Sequence, residues 1–349
     1  MLGITISDLL YRRRQFLIAT LGAGLVFAMT LLLAGLTAGF ATEIDQTVGG
    51  FHADMWVVKA GSSGRIASLA PMPEGLAHQV AREPGVRSAT PVVVLPQTAS
   101  VNGGLQEVNV VGAPVGSAPA RQPLAAGTEV SGPGQAVVDA RLGVGVGATI
   151  AISGRPLAVV GVTQDRTLLG GSPNVYTGLR DAQAVGFQGA PIISAVVVTG
   201  VPTSIPAGLA RFTAPEIERA SLGQMATAVQ SINNSKLFMW AIAAVIVASL
   251  VYVTALERTR DFAVLKALGA SSGKLYAGLA FQAVLVALIA AVIAVVLAQF
   301  MTGVFKQPVD FPASAYVVLP LSAVAVGLLS SLIALRRAVS ADPAKAFAG

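Results

Sequence analysis

The chain has 349 residues, of which 54% are hydrophobic and 11% charged, with a formal net charge of +6 and no cysteine. So few charges place it among membrane proteins and not among soluble globules. The lack of cysteine excludes a disulfide framework, a thiolate nucleophile and a cysteine-based metal site, and leaves the redox compartment open.

The first 15 residues put Leu2, Ile6, Leu9 and Leu10 on one helical face ahead of Arg12, Arg13 and Arg14, the pattern of a short interfacial helix. A first span is expected over 16–42. A signal peptide shares this charge-then-apolar signature. However, the uncharged run is far longer than the roughly 7 to 15 residues of a signal core, and its removal would leave an odd number of spans. Gly35 and Gly39 make a small-xxx-small pair able to approach another helix.

Residues 43–236 are the one large hydrophilic segment, long enough for a core of its own. Apolar, β-branched runs at 55–58, 89–95, 106–111, 135–138, 149–152, 157–162 and 192–198 are separated by Gly- and Pro-rich turns and predict strands. Helical patterns occupy 74–82, 180–185 and 215–235, the last running almost directly into the next apolar window, so that it reads equally as a stalk or as a packing helix. An α+β domain with a dominant β component follows.

Three further spans are expected over 237–256, 275–305 and 311–335, each holding the roughly 20 residues needed to cross a bilayer. Between the second and third lies a charged segment, 257–274, and after the fourth a tail, 336–349. Residues 1–15, 257–274 and 336–349 together hold ten basic and four acidic residues, so the entire +6 resides in them. The positive-inside rule places all three in the cytoplasm and the 43–236 domain outside. The fold class is therefore an integral membrane protein of four transmembrane helices, with a large α+β extracytoplasmic domain inserted between the first and second spans.

Chemistry is conspicuous by what is missing. The nearest approach to a phosphate-binding loop, Gly269-Ala270-Ser271-Ser272-Gly273-Lys274-Leu275, is one residue short and has leucine where a Mg²⁺-binding hydroxyl belongs. His52 and His78 stand 26 residues apart with no thiol to join them, which makes a metal site a poor reading. No G-x-S-x-G elbow occurs. The four windows hold no Asp, Glu, Lys, Arg or His, the groups on which proton relays depend. The basic balance gives membrane orientation and no nucleic-acid partner.

The charged segment is the most informative stretch. Arg, Asp and Lys each cost about 2.5 to 3.5 kcal/mol at a bilayer centre, so it must lie in water or at the interface. Phe262, Leu265, Leu268 and Gly269 fall at helical spacing and form an apolar stripe, while Arg260, Asp261 and Lys266 stay wet. Glu257-Arg258-Thr259-Arg260-Asp261-Phe262-Ala263-Val264-Leu265-Lys266-Ala267-Leu268-Gly269-Ala270-Ser271 resembles the E-R-x-R-E-x-A-x-L-x-A-L-G-A-S segment that follows the second span of FtsX/MacB-like ABC transporter permeases, with Asp261 for the usual Glu. The ending Asp342-Pro343-Ala344-Lys345-Ala346-Phe347 is similar to that family's D-P-x-x-A-[LF] tail. So are the Pro84-Gly85-Val86 turn after a helical run and the returns at Ala136-Val137-Val138-Asp139 and Val159-Val160-Gly161-Val162.

The resemblance implies a permease that carries no nucleotide itself. ATP and Mg²⁺ would be held by a separate cytoplasmic ABC ATP-binding subunit, whose groove receives the segment as a coupling helix. Phe262, Leu265 and Leu268 would fill the groove, Arg258, Arg260 and Asp261 would pair at its rim, and Gly269 would end the helix. Glu257 and Lys266 complete the ATPase-coupling set. The implied partners are that subunit, a second permease subunit in a homo- or heterodimer, membrane lipid and an extracytoplasmic protein. The implied work is export or extraction of a lipid, peptide, lipoprotein or drug-like cargo, or mechanotransmission to a cell-envelope partner. The alternatives are an amino-acid importer and, from another class, a receptor or scaffold that transports nothing.

Overall fold

The computed structural model describes residues 13–257, 264, 271–304 and 309–338. Among these, seven α-helices run in chain order: α1 (Arg13–Gly49), α2 (Leu76–Val80), α3 (Leu179–Phe187), α4 (Ala214–Gln224), α5 (Ala226–Glu257), α6 (Ser272–Met301) and α7 (Ala313–Ala338). The chain divides into two compact units, a helical one drawn from 1–38, 229–305 and 309–349, and an outer one drawn chiefly from 39–228.

In the helical unit four stretches are long and apolar enough to cross a membrane: Phe16–Gly49, Ala226–Glu257, Ala277–Met301 and Ala313–Leu332. Helix α6 buries alanines at 283, 287, 290, 291, 294 and 298, a stripe of one small residue every three or four positions. Apolar side chains gain nothing from leaving lipid for one another, so close approach of backbones is what holds such helices together. Gly327 of α7 shows how close: a Cβ there would sit 2.8 Å from Val284 Cα of α6. Phe27 of α1 meets Trp240 of α5 with ring centroids 5.4 Å apart, and Ser330 Oγ of α7 donates to Ala244 O of α5 at 2.9 Å. Gly35 of α1 lies against the side chains of Val309 and Phe311, and its carbonyl accepts from Asp310 N at 3.0 Å. Pro320 stands inside α7 and removes one backbone donor, which transmembrane helices tolerate.

The outer unit is built on β1 (Met55–Lys59), β2 (Met72–Pro73), β3 (Val86–Val101), β4 (Gly104–Ala113), β5 (Leu124–Gly127), β6 (Gln135–Asp139), β7 (Thr149–Ile152), β8 (Arg155–Thr163), β9 (Thr167–Leu168), β10 (Ser172–Gly178), β11 (Ile192–Ile193), β12 (Ala195–Gly200) and β13 (Leu209–Thr213). The main sheet runs β13-β1-β12-β3-β4-β10-β6-β8-β5, with β7 joined to β3 and β8, and β9 to β10. Most pairs are antiparallel, whereas β10 with β4 and β6 with β8 are parallel. The 16-residue β3 serves three neighbours, pairing Ala89 with Val198 of β12 in its first half, Leu95 with Val110 of β4 in its second, and Ala99 with Ile152 of β7 near its end.

Successive residues of these strands alternate between two cores, as a period of two demands. Val57, Val93, Val110, Val138, Val175 and Val196 face a core closed by Ala77 and Val80 of α2 and by Leu179, Ala182 and Val185 of α3. Trp56, Val92, Val111, Val137, Tyr176 and Val197 face the other, closed by Ile44 and Val48 of α1 and by Ile217 of α4. A sheet buried on both faces reads as near-continuous apolar runs. That is why so many of its strands are plain in the sequence.

Two helical expectations are revised. The helix entering at 16 does not stop at 42 but runs to Gly49, because Ile44 and Val48 continue its apolar stripe into the outer domain's core. At 1.5 Å per residue, α1 is about 55 Å long, nearly twice the roughly 30 Å of bilayer hydrocarbon. The 215–235 pattern is two helices, not one. Met225 adopts φ −91° and ψ 3°, and its N–H reaches Leu222 O at 2.9 Å, a tightened turn that closes α4 before α5 begins. With Ile217 and Ser221 buried, and Ser221 Oγ accepting from Ile66 N at 3.1 Å, α4 is a packing helix of the outer domain.

Candidate functional site: a polar joint in the outer domain

Glu257 is the last residue of α5. The other residues expected to engage an ATP-binding subunit, Arg258, Arg260, Asp261, Phe262, Leu265, Lys266, Leu268 and Gly269, lie outside the described residues. The interfacial helix expected over 1–15 and the tail over 336–349 also lie largely outside them. What the structure does define is how the outer domain grips the end of α1.

The last turns of α1 carry two stripes. Ile44, Val48 and, just beyond the helix, Phe51 form the apolar one, and Phe51 packs edge-on to Trp56 with centroids 4.7 Å apart. Glu43, Gln46 and Thr47, continued by Gly50 one residue past the helix, form the other, at the i, i+3, i+4, i+7 spacing of a single helical face. Each member of this second stripe is bonded to the outer domain. Both Glu43 carboxylate oxygens accept from consecutive backbone amides, Gly170 N at 2.9 Å and Gly171 N at 2.8 Å. Arg166 Nη1 donates to Gln46 O at 3.1 Å, Thr47 Oγ1 donates to Thr167 O at 3.0 Å, and Gln122 Nε2 donates to Gly50 O at 3.4 Å. Glu43 and Thr47 are each 3% exposed, so this is an interior joint and not a surface contact.

The gripping loop, 164–171, has an unusual backbone. Leu169, Gly170 and Gly171 have φ values of 59°, 82° and 98° in succession. For the glycines this left-handed region is free, but a leucine there is strained. The turn it makes points two adjacent N–H groups at one carboxylate, the arrangement of an anion-binding nest.

The loop is fixed to the sheet from behind. Asp139, at the end of β6 and fully buried, accepts from Arg141 N at 3.0 Å and Arg166 N at 2.6 Å. Asn109 Nδ2 of β4 donates to Leu168 O and Ser172 O, and Asn174 Nδ2 of β10 donates to Tyr176 Oη at 3.2 Å and, at 3.5 Å, to Thr47 Oγ1. Burial pushes the Tyr176 hydroxyl up to about 12, so it stays neutral and holds its bond. The Oδ1 atoms of both asparagines are buried without a partner. Sequence reasoning assigned none of these residues a role in a joint, although Asp139 closes the family-like run at 136–139. The one available signal was a Glu and a Thr four apart directly after an apolar span, on a helix with no reason to end.

A concavity of about 620 Å³ lies on the α2–α3 side of the sheet. Ala77, Pro91, Val115 and Leu179 give it an apolar lining, and Glu74 and Arg180 a charged wall, where Arg180 Nη1 and Gln183 Nε2 donate to Glu74 Oε2 at 3.2 and 2.9 Å.

The architecture is that of a membrane-embedded permease: four apolar helices, with a large α+β domain inserted between the first and second. Residues 16–214 match the MacB-like periplasmic core domain and residues 236–343 the FtsX-like permease C-terminal domain. An uncharacterized ABC transporter permease of Mycobacterium bovis is 38% identical over 349 residues, covering 100% of both chains. One from Mycobacterium tuberculosis is 36% identical with the same coverage. Among solved structures, the periplasmic region of MacB from Actinobacillus actinomycetemcomitans aligns with 47% of this chain and 90% of its own, at 15% identity and a TM-score of 0.35. The chain belongs to the FtsX/MacB-like family of ABC transporter permeases, a membership that implies an ATP-binding partner subunit.

Proposed function

We propose that this permease converts ATP binding and hydrolysis by a separate cytoplasmic subunit into motion of its outer domain. The observation that carries the reading is α1, one unbroken helix from Arg13 to Gly49 that is bonded inside the outer domain at Glu43, Gln46 and Thr47, and just past its end at Gly50. A span joined to its domain by a flexible linker would dissipate movement, whereas a continuous helix with a bonded end delivers it. The partner subunit holds ATP and Mg²⁺, and the permease itself is non-catalytic. Phe262, Leu265 and Leu268 seat in the partner's groove, with Arg258, Arg260, Asp261, Glu257 and Lys266 around its rim and Gly269 closing the helix. Both termini are cytoplasmic, and a second permease subunit completes the assembly. The work done is extraction or export of a lipid, peptide, lipoprotein or drug-like molecule, or mechanical activation of an envelope protein. The cleft beside Glu74 and Arg180 is the surface at which such a molecule is met.

Co-purification with the ATP-binding subunit tests the cytoplasmic half of this reading. Phe262→Asp and Leu265→Asp should each abolish it, and full retention would refute the docking face. ATP-dependent uptake of a labelled amino acid by the reconstituted complex would replace export by import.

A further inference from the structure

We propose that Glu43 is a positioning residue for that motion: its carboxylate, seated on the Gly170 and Gly171 amides, is the latch through which a displacement of α1 reaches the loop 164–171 and then the β6–β8 half of the outer domain. The inference rests on the reading that the outer domain is driven through its helices.

The latch is a poor device for stability alone. Ile44, Val48 and Phe51 already dock this end of the helix by burying apolar surface. A carboxylate beside them must give up its hydration, and an apolar residue of similar volume commonly serves stability as well or better. What a buried, two-pronged hydrogen bond supplies is register, because it is made at one setting of the helix and lost at the next.

Three observations place the latch in a path and not in a static core. The loop it holds is strained at Leu169, where φ is 59°, and such strain persists only where surrounding contacts enforce it. The same loop continues the connection through Arg166, whose side chain holds Gln46 O of α1 while its backbone N–H holds Asp139 at the end of β6. Finally, Asn109 Oδ1 and Asn174 Oδ1 lie buried and unpartnered in the same shell of contacts. Among the described residues no protein group saturates these two acceptors, and they border the bonds that hold Thr47 and the loop.

The test uses the full chain with its ATP-binding subunit in lipid nanodiscs. The sequence has no cysteine, so residues introduced at the exposed positions Val146 and Val201 can carry spin labels without background. Pulsed dipolar spectroscopy then compares the distance between them with ADP and with a non-hydrolysable ATP analogue. The unsubstituted chain should show a nucleotide-dependent change, and Glu43→Ala should remove it while the subunits still co-purify and ATP is still consumed. Glu43→Gln retains the side chain's shape but only one acceptor oxygen, so it should reduce the change and also settle the matter if the alanine variant does not fold. In both variants, amide exchange across 164–171 should quicken about tenfold, as expected when a hydrogen-bonded loop is released locally. If the unsubstituted chain shows no nucleotide-dependent distance, the driven-domain reading fails. If it does, and both variants change distance as fully as the parent despite faster loop exchange, Glu43 is structural only and the latch is overturned.

Discussion

In the helical unit, the core of α6 is a stripe of alanines against a glycine of α7. In the outer domain, the core is Trp56, Ile150, Ile152, Ile193 and twenty valines, with Asp139, Asn109 and Asn174 buried among them. The solvent each unit leaves on folding explains the contrast. Lipid offers apolar side chains no reason to desert it, so the spans rely on small residues that let backbones touch. Water does offer one, at about 25 cal/mol per Å² buried, and large side chains collect it. The surplus lets the outer domain hold a buried carboxylate, Asp139, and two buried asparagines at the heart of its sheet. Truncation should therefore injure the outer domain, and enlargement the helical unit.

The largest expected effect is on the outer side. Trp56→Ala empties the space between α1, α4 and the sheet, and should destabilise the outer domain by about 3 to 5 kcal/mol. Urea unfolding of the full chain in detergent, followed by far-UV circular dichroism, reads the loss; a shift under 1 kcal/mol would contradict the packing. Next is Asp139→Ala, which strands the Arg141 and Arg166 amides in the interior. A cost of about 3 kcal/mol follows from hydrogen bonds to a buried charge. It can be followed by the fluorescence of Trp56, which sits in the outer unit, while Trp240 reports the helical one.

The converse change is Gly327→Ala. Its methyl would meet backbone atoms of Val284 and Ala283 at 2.8 to 3.1 Å, with no flexible side chain to yield. Overpacking of this kind costs about 1 to 3 kcal/mol. Trp240 emission should shift and Trp56 emission should not. If α6 and α7 accept the methyl without loss, small-residue contact is not what joins them. Ser330→Ala removes only the bond to Ala244 O, and such bonds inside membranes average about 0.6 kcal/mol.

Much of this comparison was already legible in the residues. The four apolar windows announced the spans, because a bilayer admits little else of that length and composition. Strands such as β1 and β12 announced themselves through β-branched runs, because burial on both faces leaves no polar alternation. Central β10 did not. It reads Ser-Pro-Asn-Val-Tyr-Thr-Gly, a turn-like composition, yet lies between β4 and β6 with Asn174 fully buried. Its polar residues are there for the joint with α1, and a joint is a tertiary fact that local propensity cannot carry. The continuation of α1 past residue 42 was hidden for the same reason. The run Glu43, Asp45, Gln46, Thr47 looks like the exit from a membrane into solvent, and only the partners of Glu43 reveal a helix entering a second core.

The finest test of the contrast uses pH, since among the described residues the carboxylates whose titration is shifted, Asp54, Glu216 and Glu218, all belong to the outer domain. Glu216, in the first turn of α4, accepts from the Thr213 backbone N–H at 2.8 Å and from its hydroxyl at 3.0 Å. The backbone bond first, then the hydroxyl bond, hold its carboxyl below its ordinary value of 4.5. A folded-state value depressed in this way gives stability that is present above the unfolded value and lost as pH falls through the folded one. The outer domain's urea midpoint, read at Trp56, should therefore decline below about pH 4.5, while the midpoint read at Trp240 stays level. Asp54, held down by the Gly200 amide and by Arg87, pulls the parent curve in the same sense. Glu218 on the same helix pulls in the opposite one, its carboxyl raised by burial and by Asp45. The difference between the parent and Glu216→Gln isolates Glu216, because the other two are common to both curves. That difference should be small near pH 7, weaken with added salt as an exposed charge interaction does, and shrink as pH falls below about 4.5. A difference that persists unchanged into acid would mean that Glu216 contributes through its shape and not its charge.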